Sequence, residues 1–214
     1  MFHRCNGIII FFLLLLPQYS LTAGMVSSDL TVSWSITVSS KKGGDLGMAE
    51  TYNGGVETLF SAGGQTRLRL VALMRIQSVF MSGSNGPSKK FTIVKESGKS
   101  RNITHMSESE WKEYNKKYDG AVCRLTEDTA TVLRLVCRKA VITLKEGKEI
   151  NAWYTTAIQA PALSVLEPAF SKVPGLVLKY EYTYRKKTIT YTATSISHAP
   201  IAQSIFKVPA GGGS

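Results

Sequence analysis

The chain has 214 residues and a formal net charge of +11, from 26 basic and 15 acidic side chains. That length suits one domain or two small ones. The basic residues are spread along the chain. Their tightest cluster, Arg185-Lys186-Lys187, lies between two strand-like runs and reads as a solvated turn, so a nucleic-acid partner is not expected.

From the N-terminus, Arg4 precedes nine apolar residues, Ile8 to Leu16. Pro17 breaks the run, and Thr22, Ala23 and Gly24 supply small residues. A charged start, a short apolar stretch and a small-residue zone predict a signal peptide over residues 1–24. The run is far shorter than the roughly 20 residues that span a bilayer, and no later stretch approaches that length. The residue after Gly24 is Met25, where a lipid anchor would need cysteine. The expected product is a freely released periplasmic or secreted protein that does not span the membrane.

Strand signals then dominate. Leu30 to Val38 alternates, placing Val32, Trp34, Ile36 and Val38 on one face and hydroxyls on the other. Lys41 to Asp45 is a loop. Further strands are expected over Glu50–Phe60, with Asn53-Gly54-Gly55 as a bulge or turn, and over Thr66–Leu70, Ile76–Met81 and Phe91–Val94. Ser82 to Ser88 is a turn-rich break.

One helix stands out. Ser107 and Glu110 form a capping box ahead of Trp111, Tyr114 and Tyr118, an aromatic stripe expected to pack inward. Asp119-Gly120 stops it. Strands resume over Thr131–Val136, Ala140–Leu144 and Glu149–Ile158, with Glu146-Gly147 as a hairpin turn. In the last of these, Ile150, Ala152, Tyr154 and Ile158 share the more apolar parity and are assigned to the core.

Glu167–Lys172 forms a short helical turn stopped by Pro174-Gly175. Two strands follow. Leu176–Tyr184 places Leu178, Tyr180, Tyr182 and Tyr184 on one face, and Thr188–Ile196 comes next. Ile205–Val208 is a closing strand, and residues 211–214, Gly-Gly-Gly-Ser, read as a flexible tail.

The fold expected is mainly β (α+β): about ten antiparallel strands and one or two helices in a single domain over residues 25–210. A sheet of that size must curl into an incomplete barrel or wrap its helix to bury its apolar face.

Two cysteines lie beyond the signal segment. Cys123 and Cys137 flank a possible turn near Glu127-Asp128-Thr129, so a disulfide and two separate buried thiols both fit. The three histidines are scattered, and neither Cys-x-x-Cys nor His-x-x-x-His spacing occurs. No metal and no cofactor is therefore expected. Gly-x-Ser-x-Gly is absent, the paired glycines match no phosphate loop, and no carboxylate pair singles itself out. An enzyme is not expected.

The C-terminal half carries ordered motifs: Cys137-Arg-Lys-Ala140, Trp153-Tyr-Thr155, Val173-Pro-Gly-Leu176-Val-Leu178 and Phe206-Lys-Val-Pro209. The set resembles the exported Bacteroidota proteins named for a GLPGLI motif. Val173 and Val177 stand where that pattern has leucine and isoleucine. Such proteins are similar in organisation to LolA/LolB-like lipoprotein carriers. The resemblance implies an incomplete antiparallel barrel around a helix, with an apolar cavity for acyl chains.

Two functions follow as expectations. One is binding of a lipid or other apolar ligand in the concave face, with Trp34, Leu70, Tyr154, Tyr180 and Tyr182 as candidate lining residues. The other is a structural or protein-interaction role in the cell envelope. Which holds depends on whether the helix fills the concavity or leaves it open.

Overall fold

The computed structural model describes residues 29–40, 48–83 and 88–210. The expected signal segment over 1–24, the expected Lys41–Asp45 loop, most of the Ser82–Ser88 break and the expected 211–214 tail lie outside the described residues.

Eleven antiparallel strands form one sheet: β1 (Leu30–Ser40), β2 (Val56–Ala62), β3 (Gln65–Ala72), β4 (Arg75–Ser82), β5 (Lys90–Ser97), β6 (Ser100–Met106), β7 (Val122–Val132), β8 (Leu135–Thr143), β9 (Glu149–Thr155), β10 (Leu176–Tyr184) and β11 (Lys187–Ser197). The order across the sheet is β6-β5-β4-β3-β2-β1-β11-β10-β9-β8-β7. The strands thus make two meanders, β1–β6 and β7–β11, joined only where β1 pairs with β11. The outer strands β6 and β7 do not pair with each other, so the sheet is open.

The alternation in β1 sets the sidedness of the whole sheet. Val32, Trp34 and Ile36 are buried. Across β2 and β3, Trp34 faces Glu57 and Glu57 faces Leu70; across β11 and β10, Ile36 faces Tyr191 and Tyr191 faces Tyr180. In β9 the same face carries Ile150, Ala152 and Tyr154, all buried, as the apolar parity of that strand requires.

The chain between β6 and β7 must pass from one edge of the sheet to the other, and it does so across this face. Helix α1 (Glu108–Tyr114) begins at the capping box read from sequence: the Ser107 hydroxyl accepts from Glu110 N–H, and the Glu110 carboxylate accepts from Ser107 N–H at 2.7 Å. Trp111 stacks on Phe91 of β5 at 4.7 Å, and its indole donates to the Val165 carbonyl at 3.0 Å. That bond ties α1 to a second helix, α2 (Pro161–Leu166). A 3-10 turn follows at Pro168–Phe170. Of the expected aromatic stripe, Trp111 is buried and Tyr118 half-buried, while Tyr114 is 48% exposed.

Several expectations need correction. The β7–β8 turn is at Leu133-Arg134, inside the segment read as a strand, and not near Glu127-Asp128-Thr129. Both turn residues have positive φ, +50° and +64°, without a glycine to signal it. The register that follows sets Cys137 opposite Ala130 and Cys123 opposite Ile142. The cysteines are therefore about five residues apart along the ladder, roughly 16 Å at the strand rise, and no bridge forms. Both thiols are free, and burial pushes each above its usual range.

The closing segment Ile205–Val208 is not a strand. A 3-10 turn at Gln203–Phe206 buries Phe206, and Arg67, on the outward parity of β3, donates to the Ile205 carbonyl at 3.1 Å. Strand β6 and helix α2 have no counterpart in the sequence reading.

The Pro174-Gly175 stop has a steric cause. A Cβ on Gly175 would stand 2.1 Å from the Thr155 carbonyl oxygen, so only glycine lets the chain enter β10 this close to β9.

Candidate functional site

The roof built by α1, α2 and the Pro168–Phe170 turn does not fill the concave face. A cavity of about 590 Å³ remains between it and the sheet. Leu68 and Leu70 of β3, Val79 of β4, Ile150 of β9 and Phe170 of the roof give it an apolar wall. Strands β4 and β9 are six steps apart in the sheet order, about 29 Å on a flat sheet. Residues from both border one cavity, so the sheet is curled around it.

The aromatic face of β10 and β11 forms one side. Tyr180 stacks on Tyr191 at 4.3 Å, and Phe170 meets Tyr180 edge-on at 5.1 Å. Tyr182, Tyr118 and Tyr52 also line the space. Burial pushes the Tyr182 hydroxyl up to about 12 and holds Tyr118, Tyr180 and Tyr191 well above the usual phenol range. They remain neutral hydrogen-bonding groups at any physiological pH.

Two carboxyl groups share the cavity. Glu57 comes from the inward parity of β2 and is only 7% exposed; its Oε2 accepts from the Tyr180 hydroxyl at 3.2 Å. Glu167 follows α2 on the roof and is half-buried. Burial, then repulsion from Glu167, pushes Glu57 up to about 8, against the pull of the Tyr180 hydrogen bond. Burial pushes Glu167 up to about 7, against the pull of Lys117. Both carboxyl groups are therefore partly protonated near neutral pH. Charged residues line the cavity beside the β3–β4, β8–β9 and β10–β11 connections: Arg75, Glu146, Lys148 and Arg185.

A second cavity of about 480 Å³ lies toward the other end of the same face, between Leu30, Leu59 and Met81 of the sheet and Ala160–Val165 of the roof. Leu59 on its wall faces Leu68 on the wall of the first across β2–β3.

The five residues expected to line a ligand site all lie on this face, but only three reach the cavity. Leu70, Tyr180 and Tyr182 are on its wall. Trp34 and Tyr154 are packed beneath the roof. The Trp34 indole donates to the Val177 carbonyl at 3.3 Å, where the β9–β10 pairing slips by one residue. Glu57 and Glu167 have no counterpart in the sequence reading. A signal for Glu57 does exist: it shares parity with Leu59 in a strand whose inward face is apolar. Among the described residues, no group of three or more histidine, cysteine, aspartate or glutamate side chains is placed to hold a metal, and no helix is long and apolar enough to cross a membrane.

No protein family and no curated protein matches this chain. Among solved structures, PNGF-II aligns over 83% of this chain at 16% identity with a TM-score of 0.49; the chain spans 29% of its length. The Mycobacterium tuberculosis lipoprotein LppX aligns over 80% of this chain and 88% of its own, at 10% identity and a TM-score of 0.33.

Proposed function

We propose that the protein binds an apolar or amphipathic molecule, such as a lipid, in the concave face of its curved sheet, without catalysing a reaction on it. The observation that carries this is the open space of about 590 Å³ between sheet and roof, walled by Leu68, Leu70, Val79 and Phe170. A packed core of this size closes such spaces, because each lost contact costs dispersion and transfer energy. Cavities of about 300 to 1,000 Å³ with an apolar lining and a few polar groups are the usual form of small-molecule sites. Export to the envelope or beyond rests on the N-terminal segment and belongs to the same proposal.

The test is binding of the neutral fluorophore N-phenyl-1-naphthylamine to the purified protein, read as fluorescence enhancement. One saturable site is expected. Leu70→Trp, which adds bulk at the wall, should weaken it at least about tenfold. Absence of saturable binding to the folded protein overturns the reading.

A structural role in the envelope is the second reading, favoured by the sheet edge. Strand β7 pairs on one side only, and Val122 on it is 63% exposed, with Val136 on β8 69% exposed. An open edge with exposed apolar side chains is a template for strand addition. A stable stoichiometric protein complex recovered from the native host, in place of bound lipid, would favour it.

A further inference from the structure

We infer that the ligand of this cavity carries a cationic ammonium group, held against Glu57 and Glu167 among the tyrosine rings. The inference rests on the proposed ligand-binding reading and adds the chemistry of the head group to it.

The chain is strongly basic, yet among the described residues its most enclosed acid has no bonded cation. Glu57 lies on the cavity wall and is more than nine-tenths buried. Among the described residues the Tyr180 hydroxyl is the one hydrogen-bond donor to its carboxylate, and it bonds only Oε2. The groups facing Glu57 come from every side of the cavity. From β10 and β11 they are the neutral hydroxyls of Tyr180, Tyr182 and Tyr191. From the roof there is a second acid, Glu167, with Lys117 and Tyr118 beside it. Next to it on β3 is Leu70, and Gln77 follows on β4. The cations Arg75, Lys117, Lys148 and Arg185 line the same space, and Lys117 is near enough to act on Glu167, but none of them hydrogen-bonds Glu57 or Glu167. The Lys148 ammonium is on Glu146 at 2.6 Å and the Arg75 guanidinium on the Tyr52 hydroxyl at 3.0 Å.

Two carboxyl groups enclosed together, with Lys117 near Glu167 but no cation bonded to either, are held partly neutral by keeping a proton. A ligand ammonium entering the cavity would supply the missing charge and displace that proton. The rings suit the same ion, since aromatic faces attract ammonium groups, and aromatic cages with acidic neighbours select quaternary ammonium. An anionic head group would instead meet two acids in a desolvated space, and a neutral tail alone would leave Glu57 without a counter-charge.

The experiment is calorimetric titration of the folded protein at pH 7 with four probes below their aggregation concentrations: decyltrimethylammonium, decanol, decanoate and tetramethylammonium. Decyltrimethylammonium should bind at least about tenfold more tightly than decanol or decanoate. Its binding should release up to about one proton, read from buffers of different ionisation enthalpy, and should strengthen between pH 6 and pH 9 as the acids ionise. Glu57→Gln should collapse the preference for the cation toward unity. Glu167→Gln, on the roof, should narrow it and serves if the first variant folds poorly. Tetramethylammonium binding comparably would identify a small soluble ammonium compound as the ligand type. Binding only with the tail would identify a lipid. Equal binding of decanol, decanoate and the cation overturns the ammonium inference and leaves the cavity reading standing; no binding by any probe overturns both.

Discussion

Glu57 couples the stability of the protein to pH in a direction opposite to most surface carboxylates. Its folded-state value of about 8 lies above the ordinary value of 4.5 that it regains on unfolding. Below pH 4.5 both states hold the proton and its burial carries no ionic penalty. As pH rises from 4.5 through 8, the unfolded state releases the proton first and folding stability falls. Glu57→Gln removes that dependence. The stability difference between variant and wild type should therefore grow in the variant's favour across this window, by on the order of 4 kcal/mol. Urea denaturation at pH 4, 6 and 8 measures it, and parallel curves for the two proteins would show that the acid is not buried as described. In sequence the residue is one polar position in Val56-Glu57-Thr58-Leu59. Its inward direction is legible from parity, but its company is not. Tyr180 and Glu167 arrive from segments more than a hundred residues away, and no local pattern encodes that meeting.

Strand β9 shows how far period-two patterning carries at the scale of one element. Tyr154 is 2% exposed on the concave face. Trp153 is half-buried on the opposite face, with the Lys179 ammonium 4.7 Å and the Lys139 ammonium 5.7 Å from its ring. Tyr154→Ala should cost about 3 to 5 kcal/mol as a core truncation. Trp153→Ala should cost about 1 to 2 kcal/mol, from cation–π contacts and partial burial. Equilibrium denaturation of both variants decides it, and a larger loss at Trp153 would reverse the assignment of faces. The strands with clean alternation, β1, β9, β10 and β11, were legible for this reason, and α1 was legible from its cap. Strand β6 was not, because Ser100-Arg-Asn-Ile-Thr-His-Met106 lies at the sheet edge and buries little, so nothing selects apolar residues there. The turns at Leu133-Arg134 and Arg185-Lys186 adopt positive φ without glycine or asparagine. The second was still found, because aromatic strands flank it. The first was lost in an apolar run, and the choice between a disulfide and two separate thiols depended on its position.

Over the whole molecule, the open antiparallel sheet with a small helical cover follows from strand count and from the lack of alternating helices. The cavity does not follow, because its volume is the difference between how strongly the sheet curls and how much the roof fills. Neither quantity has a local signature. One strand ladder joins the two meanders, β1 with β11, whose paired residues are about 160 positions apart, such as Ile36 with Tyr191. A chain ending at Arg185 keeps ten strands but leaves β1 without that partner. It should show no cooperative thermal transition by near-ultraviolet circular dichroism, and a sharp transition would establish the β1–β6 meander as an independent folding unit.

That ladder also sets a timetable. During synthesis β1 is made well before β11, so the two meanders cannot pair until the whole span between them has been delivered. Pairings between such distant segments form slowly even then, because a long loop must be closed before they stabilise anything. A half-made molecule is therefore held open by its own connectivity. Its apolar face stays exposed enough to need guarding up to the moment β11 arrives.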